Sequence, residues 1–305
     1  MIELNDDKTL FSFDRDLEPV LTVKSGETVR IRTKDCFSNQ LTGPQDTMDD
    51  LDWDAINPAT GPVFVEGAKA GGSLKVRIEN IEFDDQTCSA TGQDEGVCGN
   101  RFTEWATHYC KIQGNTLAWD ERLNIPLRPM IGVIGVAPEG EPVNCGTPGS
   151  HGGNMDNKKI TKGTRLYFPV RVPGALLQMG DVHATMGDAE LCGTGIEIPA
   201  EITVRVQLVK GFELNWPVLE TFGPDGKWYV NCSGTHYEQA LMNGSKELQR
   251  LLMRVTGWDA VETYMYMSVQ SDVEVSQGCE PCEVDVSLRI GTPKLSEFPV
   301  LIPQP

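Results

Sequence analysis

Basic residues are scarce in this chain: 26 Lys and Arg stand against 44 Asp and Glu, a net charge of -18. Nucleic acid and anionic membrane surfaces repel such a chain, so neither is an expected partner. Most of the acidic excess is explained by solubility, and carboxylates that hold cations would lower the effective charge. No apolar run exceeds strand length, which argues against a membrane-spanning helix. The opening MIELNDDKTLFSFD lacks a basic segment followed by an apolar one, so no secretory leader is expected. A second C-x2-C pair is also missing. Cys279 and Cys282 have the spacing of half a structural zinc site and nothing to complete it. The nine cysteines are odd in number and irregularly spaced. They are expected to be mostly buried thiols of a cytoplasmic protein, with the pairing of Cys88 and Cys98 left open.

What is present is turn-rich and strand-like. With 31 Gly and 19 Pro at 39% hydrophobic content, the 305 residues describe a folded protein rather than a disordered one. Pro19–Asp35 alternates apolar and polar residues on both sides of Ser25-Gly26, which predicts a hairpin. Pro62–Phe83 and Lys162–Asp181 repeat the plan of strand, glycine-rich turn and alternating strand. Residues 237–268 break the pattern: Leu248, Leu251, Leu252 and Val255 recur at helical spacing. There Thr256-Gly257 marks a helix end and Asp259 a second helix start, with His236 before the first. The expected fold is therefore all-β with two minor helices. It forms one domain over residues 1–305, or two β halves meeting in the Gly/Pro-rich loop 138–155, about 1–145 and 146–305.

The segment GDVHATMGDAELCGTG, Gly180 to Gly195, gathers acids and a histidine without one Lys or Arg. On an extended strand Asp181 and His183 face the same way and can converge on one ion. Glu190 lies beyond the turn formers Gly187-Asp188, which fold it back. Gly193, Thr194 and Gly195 permit close backbone approach. Further ligands are sought in three acid or histidine clusters: Asp52 and Asp54, Glu104 and His108, and His151 and Asp156. A plain turn role for Asp188 and a solvated loop for the outlying clusters are the competing readings.

These blocks carry a resemblance. NPATGPVFVEGA (57–68), GGNMDN (152–157) and GDVHATMGDAELCGTGIE (180–197), with DCFSNQ (35–40) and IGVIGVAPEGE (131–141), resemble the signature blocks of the acetamidase/formamidase family, in family order. The resemblance implies duplicated β-sandwich-like units, hydrolysis of short aliphatic amides to carboxylate and ammonia at a divalent-metal site, and a cytoplasmic homo-oligomer, a homodimer or larger. The chain departs from the pattern at Ala189 and Gly195, where the family has glycine and alanine. Both are small-for-small changes that spare the candidate ligands.

Amide hydrolysis needs a polarised carbonyl, an activated water and a proton for the departing nitrogen. Asp181, His183, Asp54, His108 and Asp156 are the candidate metal ligands, zinc suiting imidazole with carboxylate and calcium an all-oxygen set. Glu190 and Asp188 are the candidate acid–base residues, and Cys192, Gly193 and Thr194 the candidate substrate contacts. Two other readings compete. One makes Cys192 the nucleophile of a thiol amidase. The other is a calcium-binding β-sandwich that stacks sugars on Trp53, Trp105 or Trp119.

Overall fold

The computed structural model describes residues 1–83, 85, 87–279, 286–297 and 300–304, and of Asp50 the backbone alone. Period-two burial organises the larger sheet: Thr28–Thr33 alternates half-buried and buried residues, and Ala200–Val209 does nearly the same. The sheet has nine strands in the spatial order Ile2–Leu4, Thr28–Thr33, Ala200–Val209, Ser73–Phe83, Arg165–Pro169, Val218–Glu220, Lys227–Gly234, Val286–Pro293 and Asp272–Gln277. Pairing is antiparallel except between its first two strands. Its inner face packs on a second sheet built from Met130–Gly135, Leu177–His183 and Ala59–Val65, extended by Thr9–Leu10 and Leu21–Val23. Ile31, Val76, Ile78, Val204 and Val206 from one layer meet Val63, Ile131, Ile134, Leu177 and Val182 from the other in a single core. A smaller sheet of Thr87–Thr91, Ala106–Gln113, Thr116–Ala118 and Asn124–Pro126 flanks them.

The expected hairpin at residues 19–35 does not form. Leu21–Val23 joins the second sheet, parallel to Ala59–Val65, while Thr28–Thr33 joins the nine-stranded sheet. The other two strand–turn–strand segments behave alike. Ala59–Val65 and Ser73–Phe83 lie in different sheets, as do Arg165–Pro169 and Leu177–His183. The glycine turns carry the chain across the sandwich rather than back along one sheet. Alternation alone does not separate these cases, because either connection buries one face of each strand. Strands from before and after residue 145 alternate within the large sheet, so the two β halves are interleaved in space.

Both helices form where the sequence places them. α1 (Tyr237–Thr256) begins after His236 and ends at Gly257, whose φ of +74° turns the chain out of the helix. α2 (Ala260–Gln270) begins at Asp259, whose carboxylate accepts the Glu262 N–H. Leu248, Leu251 and Leu252 pack on Val230, Cys232, Leu288 and Ile290, closing a second core against the end of the large sheet. Among the described residues, no helix is long and apolar enough to cross a membrane. Cys36, Cys88, Cys98, Cys110, Cys145, Cys192 and Cys232 are free thiols. Cys282, the other half of the C-x2-C pair, lies outside the described residues.

Leu251→Ala removes a fully buried side chain from this second core. It is expected to lower the unfolding free energy by about 2–5 kcal/mol, read from denaturant midpoints. A loss under about 1 kcal/mol would mean that α1 is not docked as described.

Candidate active site

The strand Leu177–His183 runs between Met130–Gly135 and Ala59–Val65 with all seven residues buried. A strand covered on both faces should be apolar throughout, yet this one ends in Gly180-Asp181-Val182-His183. Asp181 has a φ of +53°, a conformation that disfavours side chains, and Asp156 and Glu190 share it at +37° and +46°. Such strain persists only where the surroundings impose it, and it gathers at functional sites. Here the three strained residues converge on one imidazole.

His183 Nε2 lies 3.2 Å from Glu197 Oε2, 3.3 Å from Asp181 Oδ1, 3.8 Å from Glu190 Oε1 and 3.9 Å from Asp156 Oδ1. All five side chains are buried. Asp156 arrives on the loop 149–157, laid beside Met130–Gly135 by bonds such as Met155 N–H to the Gly132 carbonyl. Gly132 is required there: a Cβ would collide with the carboxylates of Asp181 and Asp156. Glu190 is folded back by the turn at Gly187-Asp188, as its sequence suggests. Glu197 comes from the segment that bridges both His183 and Cys88.

Neutral donors supply only part of what these carboxylates need. The Gln277 amide donates to Asp156 Oδ2 at 2.7 Å and to Glu190 Oε2 at 2.8 Å. The Gly195 N–H donates to Glu197 Oε1 at 2.8 Å. Asp156 Oδ1 and Glu197 Oε2 are buried without a hydrogen-bond partner. Among the described residues, no Lys or Arg pairs with any of the four acids. Burial, then repulsion from Glu190 and Asp181, pushes the Asp156 carboxyl well above the usual carboxylate range. Burial likewise raises Glu197, and it lifts Glu190 to about 7 and the neighbouring Asp35 to about 6. Burial alone would depress His183, but attraction to Glu197 and Asp181 outweighs it and holds the imidazole well above its ordinary value.

The donor atoms fit a cation. Those of Asp156, His183 and Glu190 lie within 4.8 Å of one another, and so do those of Cys36, Asp181 and Glu197. Each group includes a carboxylate with a buried, unpartnered oxygen, which a bound ion would satisfy.

A cleft of about 440 Å³ adjoins the cluster, sharing Cys36 with it. The candidate substrate residues Cys192, Gly193 and Thr194 line it. Thr194 Oγ1 ties this wall to the strand Thr87–Thr91, donating to the Ala90 carbonyl at 2.9 Å. The Cys192 thiol donates to the Thr194 carbonyl at 3.6 Å and has no imidazole or carboxylate as hydrogen-bond partner, so the thiol-amidase reading lacks its base.

Of the expected ligands, Asp181, His183 and Asp156 meet, and Glu190 meets them. Asp54 does not: it is exposed at the cleft rim, in a short helical turn at Trp53–Ala55. His108 does not either, because its Nε2 bonds the Trp119 carbonyl at 2.9 Å and its ring stacks on that indole. Asp188 does not join the cluster either. It is gripped by Arg289 at 2.9 and 2.8 Å and by Lys158 at 2.7 Å, an ion cluster that fixes the turn carrying Glu190. Those cations outweigh the effect of burial and hold Asp188 below its usual range. His151 is buried against Phe13, and burial lowers its pKa to about 4.

Sequence reasoning missed Glu197, Cys36, Asp35, Gln277 and Arg289. Glu197 carried a usable signal, a lone acid between Ile196 and Ile198 in an apolar strand context. Gln277 carried none, since a neutral amide on a distant strand becomes meaningful only once folding sets it between two acids.

The acetamidase/formamidase family model matches residues 3–145 and 140–280. A recombinant predicted acetamidase/formamidase from Thermoanaerobacter tengcongensis is 38% identical, with a TM-score of 0.92 over 96% of this chain and 95% of that one. An acetamidase from Bacillus halodurans is 37% identical, with a TM-score of 0.91 over 96% and 97%. A formamidase of Methylophilus methylotrophus is 28% identical over 64% of this chain, and the match spans 62% of its own length.

The displaced pKa values make a signed prediction for chelator-treated protein. Glu190 rises from 4.5 to about 7 and His183 rises from 6.5, so above pH 6.5 the folded chain holds more protons than the unfolded one. Stability from these groups is present below their unfolded values and is lost as pH climbs through the folded ones. His151 opposes this only between about pH 4 and 6.5. Thermal midpoints of the metal-free protein should therefore fall from pH 6.5 to pH 8, by the equivalent of about 1–2 kcal/mol. A rising midpoint would contradict the described cluster.

Proposed function

The chain belongs to the acetamidase/formamidase family, and from that premise we propose that it hydrolyses carboxamides of the acetamide and formamide type to carboxylate and ammonia, with a divalent metal held in the buried cluster. The observation that carries this reading is the convergence of four buried carboxyl groups on His183, with no Lys or Arg among the described residues to balance them. An apolar core tolerates such a concentration only if protons are retained or a cation offsets it.

His183, Asp181, Asp156 and Glu197 would hold the ion, with Cys36 beside them. Imidazole, carboxylate and thiol together suit zinc or a similar transition ion better than calcium. A divalent ion bound there would supply Lewis acidity, polarising the amide carbonyl and lowering the pKa of water. The rest falls to the chain's own residues. Glu190, lifted to about 7, holds or releases a proton near neutrality. That is the property needed to take a proton from the attacking water and pass it to the departing nitrogen. Gln277 keeps the Glu190 carboxyl in place through Oε2 and leaves Oε1 directed at the cluster. Arg289 and Asp188 hold the turn behind it.

We further infer self-association and a cytoplasmic setting. Val261, Tyr264, Met265 and Val269 form an exposed apolar stripe along α2, and the free thiols suit a reducing compartment.

Ammonia release from formamide and acetamide tests the activity directly. Exhaustive chelation should abolish it and a divalent ion restore it, whereas full turnover by protein free of metal on elemental analysis would overturn the metal assignment. Glu190→Gln is expected to lower kcat by about 100-fold or more while folding is kept. Cys192→Ser should keep most of the turnover, and a loss as large as that of Glu190→Gln would revive the thiol mechanism.

A further inference from the structure

The cleft above the cluster is much larger than formamide or acetamide requires. It encloses about 440 Å³, whereas one water in the liquid occupies roughly 30 Å³ and acetamide has only a few heavy atoms. Its outer wall is aromatic. The rings of Trp53 and Trp105 lie 5.4 Å apart at 42°, with Phe37, Met48 and Ile56 also lining the space.

Both indoles are held in position. Trp105 lies over Gly92, where any Cβ would run into its six-membered ring. Trp53 sits on a turn fixed by the Asp52 carboxylate, which accepts the Asp54 N–H at 3.1 Å. That turn is tied down again by Gln40 Oε1, which accepts the Asp52 N–H at 2.8 Å. Trp53 nevertheless remains 50% exposed, an apolar surface lining the cleft that is left half uncovered among the described residues. The charge there has one sign: Asp54 and Glu95 line the cleft, and no Lys, Arg or His does so among the described residues.

We propose that this vestibule selects amides whose acyl group carries a planar aromatic ring, uncharged or cationic, packed on the faces of Trp53 and Trp105 while the amide reaches the cluster past Cys36. The inference rests on amide hydrolysis at that cluster and adds the class of acyl group. The reaction is balanced by water alone: the C–N bond breaks, a C–O bond forms, and an arylalkanoate and ammonium leave. Ring stacking and burial favour the aromatic acyl group, and a cation on the ring gains from the indoles and from Asp54 and Glu95. A carboxylate on the ring meets those two acids and is rejected.

The test compares acetamide, 2-phenylacetamide and the 4-aminomethyl and 4-carboxy derivatives of the latter by ammonia release. The expected order of kcat/KM places both uncharged and cationic aryl amides at least about tenfold above acetamide, roughly 1.4 kcal/mol, and the 4-carboxy compound below them. Trp105→Ala and, separately, the exposed Trp53→Ala should each collapse the phenylacetamide-to-acetamide ratio. Asp54→Asn combined with Glu95→Gln should raise the 4-carboxy compound relative to the neutral one. Acetamide turnover with no aryl preference, or ratios unmoved in both tryptophan variants, would overturn the vestibule and leave amide hydrolysis standing. If no amide is hydrolysed, the proposed reaction fails instead. Quenching of indole fluorescence by 2-phenylacetamide, lost in Trp53→Ala, then decides the vestibule by binding alone.

Discussion

Four carboxyl groups share one buried volume with a single imidazole, and most of the architecture around them answers that concentration of charge. In water their repulsion would be screened; between two packed sheets it is not. The protein meets it in three ways. It gives Asp156 and Glu190 a common amide donor, Gln277. It raises the pKa of acids and imidazole alike, so that protons are retained. And it leaves a partnerless oxygen in each of the two groups of potential ligands. An ordinary core would have placed Val or Leu at these positions and folded more easily, so stability alone does not account for the arrangement.

Holding such a cluster together takes a frame that does not yield. The carboxylates sit on the end of a fully covered strand, on a loop hydrogen-bonded to the neighbouring strand, and on a turn. That turn is anchored by the buried Arg289, which also binds Glu274 and Asn157. Asn157 follows Asp156 directly, so one guanidinium steadies two approaches to the site. The positive φ angles at Asp156, Asp181 and Glu190 show what this frame imposes, because each residue would relax toward an extended conformation if its surroundings allowed.

The parts of this arrangement that are local in the chain were legible in the sequence, and the parts that depend on long-range packing were not. α1 and α2 were readable from the spacing of Leu248, Leu251 and Leu252 and from Gly257 and Asp259, since helix ends are set by neighbouring residues. The meeting of Asp181, His183 and Glu190 was readable because one strand and one turn produce it. The hairpin at 19–35 was misjudged because alternation reports a half-buried strand and not which sheet it joins. Asp54 and His108 are plausible ligands by residue type, yet Asp54 stays exposed at the cleft rim and His108 binds the Trp119 carbonyl and indole. Glu197 and Gln277 reach the cluster through sheet pairing, and pairing across the sandwich leaves little trace in local sequence.

The interleaved sheet also governs when this protein can first become itself. Ala200–Val209 lies between Thr28–Thr33 and Ser73–Phe83, so those two strands lack their shared neighbour until residues 200–209 have been made. Gln277 arrives later still. An unfinished chain therefore exposes unpaired strand edges and lacks the amide that Asp156 and Glu190 share, which leaves truncated products open to proteolysis.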